Sequence, residues 1–384
     1  MQSLHLSVAD GDLKQIYAVY LQPLLLNTDL SALEVAGGIA GQATLSEGAL
    51  SDLRLRLQDV HADDQQGRFR LSGLEGDLVL NGGPKPIAAR LQWAGAALYK
   101  LNLGAGHLGM ESSKGGIHLL DWGDVPVLDG KLHVDSLSLK DVGSPDRVIS
   151  LSGVLSPVSL KELCQALGWP LMSGKVSGVV PGLTYRHGNL AVEGTLLVQA
   201  FGGDITVRGL KVSDLFGEVP ELSADINLRN LDLDTLTRTF SFGKIEGKLS
   251  GRIDGLHLQS WQPVSFDARF ATPPGDDSRH RISQRAVDNL ASLSGGGGAT
   301  GVLSRSIMRI FSEFGYARLG ISCRLHDGVC DMGGIEPFDG GYYIVKRGLL
   351  PPWIDVKGFN SQVDWNVLVD RLKGIVHGES PVIK

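Results

Sequence analysis

The sequence predicts a mainly β protein, antiparallel and many-stranded, with a few short helices. Three observations carry that expectation. The first is alternation. In residues 243–258, GKIEGKLSGRIDGLHL, the side chains of Ile245, Gly247, Leu249, Gly251 and Ile253 fall on one side, and Lys244, Glu246, Lys248, Ser250, Arg252 and Asp254 on the other. That two-residue period is a strand with one apolar and one charged face. The second is glycine, 51 of 384 residues or roughly 13%, against about 7% in ordinary proteins. The glycines follow no collagen period and punctuate the alternating runs, as tight turns require. The third is the lack of helical patterns between the strand-like runs of the first 155 residues, which argues against a parallel βαβ layout.

Taken in order, residues 13–26 spell a short helix in which Ile16, Val19, Tyr20 and Leu24 keep helical spacing until Pro23 disturbs it. Strand-like runs follow at 32–45, 50–60, 67–80, 87–93, 96–103, 107–110 and 131–139. The cleanest alternation sets Leu53, Leu55 and Leu57 against Arg54, Arg56 and Gln58. Turns are supplied by Asp63-Asp64, Gly73, Asn81-Gly82-Gly83 and Gly115-Gly116. A helix at 158–167 has Ser159 as its cap, with Glu162 three residues on, and leads into Gly174-Lys175-Val176-Ser177-Gly178. A second helix-like run at 231–240 leads into Gly243-Lys244-Ile245-Glu246-Gly247. Helix, short link and G-K-[VI]-x-G thus occur twice, with Val176 and Ile245 69 positions apart. A weaker match joins the first helix to Gly37-Gly38-Ile39-Ala40-Gly41; Ile39 lies 137 positions before Val176, close to twice that period.

Further strands are expected at 190–198, 204–207, 222–228 and 266–270, before Pro273-Pro274-Gly275-Asp276-Asp277 closes the β region. Residues 282–293 and 302–314 read as a helical pair separated by the glycines of 295–298. The second helix places Leu303, Ile307, Ile310, Phe311 and Phe314 on one face. Strands at 317–325, 329–332, 342–346 and 354–359 and a closing helix at 365–376, capped by Asp364, complete the chain. The expected organisation is therefore a β region over 1–272 with helices near 13–26, 158–167 and 231–240, a Pro/Gly-rich linker and helical pair over 273–315, and terminal hairpins with a helix over 316–384.

Several function classes find no support. The net charge is −6 with both signs mixed along the chain, so no nucleic-acid footprint is visible. No run of about 18 apolar residues is present, and the first residues lack the basic and apolar regions of a signal peptide. The chain opens on a strand-like run from Leu4 to Val8, which suggests the C-terminal part of something longer. Gly104-Ala105-Gly106-His107-Leu108-Gly109 has dinucleotide-binding spacing but no helical face after it, so it is read as a chance match. The glycines of 295–301 lack the Lys-[Ser/Thr] of a phosphate loop. The ten histidines are dispersed, no G-x-S-x-G elbow occurs, and Asp63-Asp64 and Asp276-Asp277 sit in loops. The expectation is a protein that is not an enzyme and that needs neither cofactor nor metal. Cys164 is read as a buried free thiol. Cys323 and Cys330 flank the hairpin signal Asp327-Gly328; Cys330 then faces Leu325, and a disulfide to the diagonal Cys323 calls for a bulge or shifted register.

So many one-sided strands have too little helix to cover them. Either a second sheet closes the face, or a long curved sheet keeps an apolar surface for a ligand. Gly247 and Gly251 fit both readings, as aids to packing or as gaps that leave volume for an acyl chain.

The segment SGKVSGVVPGLTYRHGNLAVEG at 173–194, with G-x-x-x-G-x-x-P and a following G-x-L, resembles the C-terminal regions of the AsmA-like superfamily, which includes TamB and the YdbH-type proteins of Gram-negative envelopes. The helix-then-GKVSG and helix-then-GKIEG units are most similar to the YdbH type, over about residues 13–270. The resemblance implies an elongated, curved antiparallel β-groove with an apolar interior, in the periplasm, anchored to the inner membrane by a segment outside this sequence. It implies passive transfer of phospholipid between inner and outer membranes, with acyl chains against Leu53, Leu55, Leu57, Val176, Val180, Ile245, Leu249 and Ile253. The 302–314 helix would dock on a membrane, plug the groove or pack on the terminal sheet. The alternative is an envelope scaffold that binds a partner protein.

Overall fold

The computed structural model describes residues 3–22, 32–46, 49–141, 146–168, 171–215, 217, 219–294, 311–349 and 351–376. The fold is mainly antiparallel β, 65% strand and 14% helix, as expected. Two compact units are formed, one by residues 1–169, 176–196 and 211–220, the other by 170–175, 197–210 and 221–384.

The first unit holds β1 (Ser3–Asp12), β2 (Leu33–Ser46), β3 (Ala49–Asp64), β4 (Phe69–Asn81), β5 (Ile87–Trp93), β6 (Gly95–Leu98), β7 (Leu101–Leu103), β8 (Gly106–Ser113), β9 (Gly116–Trp122), β10 (Val125–Val127), β11 (Gly130–Lys140) and β12 (Val148–Ser159). It also holds most of β13 (Gly174–Arg186) and parts of β14 (Asn189–Ala200) and β15 (Gly203–Ser213). From β1 to β12 it is a meander in chain order, every neighbour antiparallel. β4 pairs with β6 before Gly73 and with β5 after it, while β6–β7 and β7–β10 carry the same ladder past the breaks at Ala94, Gly104-Ala105 and Gly123-Asp124. The run expected as one strand at 96–103 is accordingly a hairpin, turning at Tyr99 with a left-handed φ of 50°. Such breaks and the register shifts in β1–β2, β2–β3 and β3–β4 bend and twist a ladder. A buried ion pair closes the β3–β4 turn: Arg68 Nε and Nη2 donate to Asp64 Oδ2 and Oδ1 at 2.9 and 2.7 Å.

The second unit contains β16 (Glu221–Asp232), β17 (Ile245–Glu246), β18 (Lys248–Gln259), β19 (Gln262–Ala271), β20 (Arg281–Ser283), β21 (Glu313–His326), β22 (Val329–Gly334), β23 (Glu336–Phe338), β24 (Gly341–Arg347), β25 (Val356–Gly358) and β26 (Gln362–Asp364). Strands β16, β18, β19, β21, β22 and β26 form one antiparallel ladder. The first half of β21 leaves it to pair with β20 and β24. A closed core forms there, with Ile282, Phe314, Leu319, Ile344 and Val345 all buried.

Every described helix starts where a strand stops, and Asp or Ser makes the change. The helices are α1 (Leu13–Ile16, continued as a π-helical turn Tyr17–Leu21), α2 (Leu160–Leu167), α3 (Leu233–Thr239), α4 (Gln284–Leu293) and α5 (Trp365–Val376). Their first turns donate backbone N–H groups to Asp12, Ser159, Asp232, Ser283 and Asp364, the last residue of the preceding strand in each case. A side-chain acceptor at that position satisfies an orphan donor and lets an extended chain turn into a helix.

Three further expectations are corrected. Phe314 is not on a helix: it lies in β21, 2% exposed and paired with Ile282, because the alternating run EFGYARLG outranks its helical spacing. Phe311 precedes that strand outside any helix, and residues 302–310 of the expected helix lie outside the described residues. The run at 243–258 is not one strand, since Gly247 (φ +134°) separates β17 from β18 and the two join different ladders. The register from Ile321↔Gly334 to His326↔Val329 is continuous, and the diagonal Cys323 and Cys330 are disulfide-bonded across it with Cα atoms 5.5 Å apart, so no bulge is needed. Cys164 is a buried free thiol.

Candidate functional site: an apolar sheet face

The alternation in β2, β3 and β4 builds one face residue by residue. Register sets Leu6, Ala43, Leu53 and Leu80 in one cross-strand row, and Val8, Gly41, Leu55 and Leu78 in the next. A third row runs Ile39, Leu57, Gly76, Leu91 and Leu108. The opposite face carries Asp52, Arg54, Arg56 and Asp77, with Arg56 Nε donating to Asp77 Oδ1 at 3.3 Å. Two clusters form on the apolar side. Ile39, Leu57 and Val60 gather Leu13, Ile16 and Leu55; Leu80, Met110 and Ile117 gather Leu50, Leu53 and Leu139. Leu78 and Leu91 belong to both, so the face is continuous.

Cover is uneven. α1 lays Leu13 and Ile16 over the Ile39 cluster, while along the first row exposure rises from 3% at Leu80 to 51% at Leu6. Leu4 is also exposed, and Leu53 and Leu55 are half-buried. Among the described residues β1 pairs only with β2, which leaves its other edge unpaired. The arrangement can remove apolar chain from water along one face and keep charge on the other. It offers no acid–base or nucleophilic chemistry of its own.

Leu53, Leu55 and Leu57 therefore share one surface. Val176, in β13 of the same unit, is half-buried, and the side chain of Val180 lies outside the described residues. Ile245, Leu249 and Ile253 belong to the second unit; there Ile245 and Leu249 are buried, Ile245 pairing with Ile282 and Leu249 with Leu231, as members of a protein core. The expected volume beside their glycines is occupied. A Cβ at Gly247 would strike the Tyr316 hydroxyl, and one at Gly251 would meet the Arg269 carbonyl and, at 2.6 Å, Phe270 Cδ1. These glycines serve packing. Leu303, Ile307 and Ile310 lie outside the described residues. Leu4, Leu6, Val8, Leu78 and Leu80 were missed as site residues; the signal lay in the alternation of β1 and β4, read strand by strand and not across them.

One buried polar cluster needs a separate account. Asp276 accepts from His280 Nε2 (2.9 Å), Lys248 N (2.9 Å) and Ser278 N (3.0 Å). Burial opposes its ionisation, but the hydrogen bonds from Ser278, His280 and Lys248 outweigh burial and hold the carboxyl far below the usual range. The His280 ring stacks on Tyr316, whose phenol is pushed up by burial and by the nearby carboxylates Asp276 and Glu246. Lys248 N ties the loop to β18, the Ser278 and His280 contacts close the loop on itself, and the His280–Tyr316 stack fixes it against β21, which is a structural role. Among the described residues no group of three or more His, Cys, Asp or Glu is placed to hold a metal ion. No helix among them is long and apolar enough to cross a membrane.

No protein-family model, curated protein or solved structure matches the chain.

Proposed function

We propose that the chain is a non-catalytic lipid-binding protein of the AsmA-like type, which accepts phospholipid acyl chains along the apolar face of its first unit and passes them between inner and outer membranes from the periplasm. The observation that carries this reading is the continuous apolar surface of β1–β5 and β8, open at Leu4, Leu6 and Val8. A leucine moved from water to full cover contributes about 1.5–3 kcal/mol, so a short row of half-covered side chains suffices to hold an acyl chain. Head groups would stay in water, and movement along the face needs no chemical step.

Native mass spectrometry of gently purified protein tests it, with phospholipid bound to the intact chain as the expected result. Leu6→Asp, at a side chain already half in water, should abolish that lipid with the far-UV circular dichroism unchanged. Lipid-free wild-type protein, or a Leu6→Asp chain that carries as much lipid as wild type, would overturn the reading. The unpaired edge of β1 favours a second reading, a scaffold that adds a strand from a partner protein there. Lipid-free protein that co-purifies with a bound partner protein would favour that second reading.

A further inference from the structure

The second unit carries a cleft of about 900 Å³ on the charged face of its ladder. It is built by three cross-strand rows. The floor is a row of small residues, Ser250, Ala271 and Gly320. The next row sets Arg252 directly opposite Arg269, and the row after that sets Asp254 opposite Asp267. Placing like charges directly opposite destabilises a sheet. Here it also sorts charge, with the arginines against the small-residue floor and the acids one row further off. Arg229 and Arg318 line the same cleft, as does Arg324, so five arginines face it with only Asp267 and Asp331 as lining carboxylates, in a chain of net charge −6.

The local ion pairs compensate this charge only in part: Arg252 Nε lies 2.8 Å from Asp254 Oδ2. Arg269 and Arg324 share the single carboxylate of Asp267, Arg269 Nε at 3.1 Å from Oδ1 and Arg324 Nη2 at 3.1 Å from Oδ2. Arg318 Nη2 reaches Glu336 at 3.3 Å, and that carboxylate is shared with Lys346. Arg229 Nε donates to the neutral Asn227 Oδ1 at 3.3 Å. Each guanidinium has five N–H donors, of which these bonds use one or two.

We infer that this cleft is an anion site for phosphate groups, held by Arg252, Arg269 and Arg324 above the Ser250–Ala271–Gly320 floor. Planar guanidinium forks match phosphate oxygens in bidentate pairs, and several of them together select a multiply charged phosphate over a single carboxylate. The floor matters as much as the charge: side chains no larger than serine and alanine let a phosphate approach the sheet between the arginines. This site uses the charged face of the second unit and stands or falls separately from lipid binding on the first.

Calorimetric titration of the full chain with pyrophosphate at low salt, and flotation with phosphatidylglycerol vesicles against phosphatidylcholine ones, test it together. Binding in the first assay marks a free phosphate compound, and binding only to phosphatidylglycerol marks a lipid head group. Either supports the site if the double variant Arg252→Gln/Arg269→Gln weakens it by about tenfold or more while Arg54→Gln/Arg56→Gln, on the charged face of the first unit, leaves it unchanged. Arg318→Gln gives an independent reading should the double variant fail to fold, and should weaken binding in the same direction. No binding in either assay, or equal loss from both double variants, would overturn the inference.

Discussion

Replacing Gly247 by alanine separates the two roles that a glycine in an apolar strand can have. The residue sits at φ +134°, a region L side chains rarely adopt, and holding alanine there costs about 1–3 kcal/mol. Its new methyl would also collide with the hydroxyl of Tyr316, which is 3% exposed and donates to Glu246 O at 2.5 Å. His280 Cδ2, at 3.1 Å from that methyl, is stacked on the Tyr316 ring and cannot retreat independently. Displacing the phenol leaves a buried donor and acceptor unpaired, a further loss of about 1–3 kcal/mol. Alanine's lower unfolded-state entropy returns about 0.4–1 kcal/mol. The net expectation is a destabilisation of about 1–5.5 kcal/mol in urea unfolding of the full chain. Tyr316→Phe alone should cost about 0.5–1.5 kcal/mol. In a Tyr316→Phe background Gly247→Ala should be less damaging by about 1 kcal/mol or more, because the two changes remove the same contact. If Gly247→Ala costs under about 1 kcal/mol and shows no coupling to Tyr316→Phe, the glycine is not a packing device and the space beside it is available to a ligand.

Two further outcomes follow from buried polar groups. Asp64→Asn should cost about 3–5 kcal/mol in the same assay, since it removes the buried carboxylate that accepts from Arg68 N, Nε and Nη2. The Arg68 hydrogen bonds hold the Asp64 carboxyl below its ordinary value against burial, so its contribution is present above about pH 4 and is lost as pH falls; wild type should lose stability on acidification more steeply than Asp64→Asn. At the other end, burial pushes the Tyr342 phenol, which donates to Asn360 O at 3.1 Å, up to about 12. An unfolded tyrosine ionises near 10, so stability is unaffected below that pH and should fall between about pH 10 and about 12. Tyr342→Phe should flatten that alkaline slope in urea midpoints measured against pH.

Much of this fold was legible because period-2 alternation is a local signal. The closing helix falls on residues 365–376 as expected, and Ser159 caps α2 through Glu162 N at 3.3 Å. Registers were legible only where a turn fixed them, as at Asp327-Gly328, where Leu325 does face Cys330. Elsewhere partners are long-range. Nothing near Gly247 in the chain announces that Tyr316, 69 positions later, fills its gap. The 302–314 pattern failed at Phe314 because leucine, isoleucine and phenylalanine spaced for a helix can equally end in a strand, and pairing with Ile282 decides the matter.

The two sets of expected site residues have different surroundings, and that difference bears on function. Ile245 and Leu249 come from the best-formed repeat, yet pairing with Ile282 and Leu231 makes them core, with the adjacent glycines filled. Leu53 and Leu55 come from the run without glycine gaps, and they remain half-buried on a face that opens toward Leu6. Strong alternation therefore identifies an apolar face, but what stands opposite that face decides whether it is core or binding surface. Among the described residues of the first unit, the helical cover on the Ile39 cluster is Leu13 and Ile16 of α1, and the rows through Leu53 and Leu55 reach water along β1. A protein that needed these rows only for stability would gain by covering Leu4 and Leu6. Leaving three exposed apolar side chains in line on an edge strand is an aggregation hazard unless something regularly occupies them. That is the physical case for an apolar ligand on the first unit, and it rests on Leu4, Leu6 and Val8 more than on any glycine.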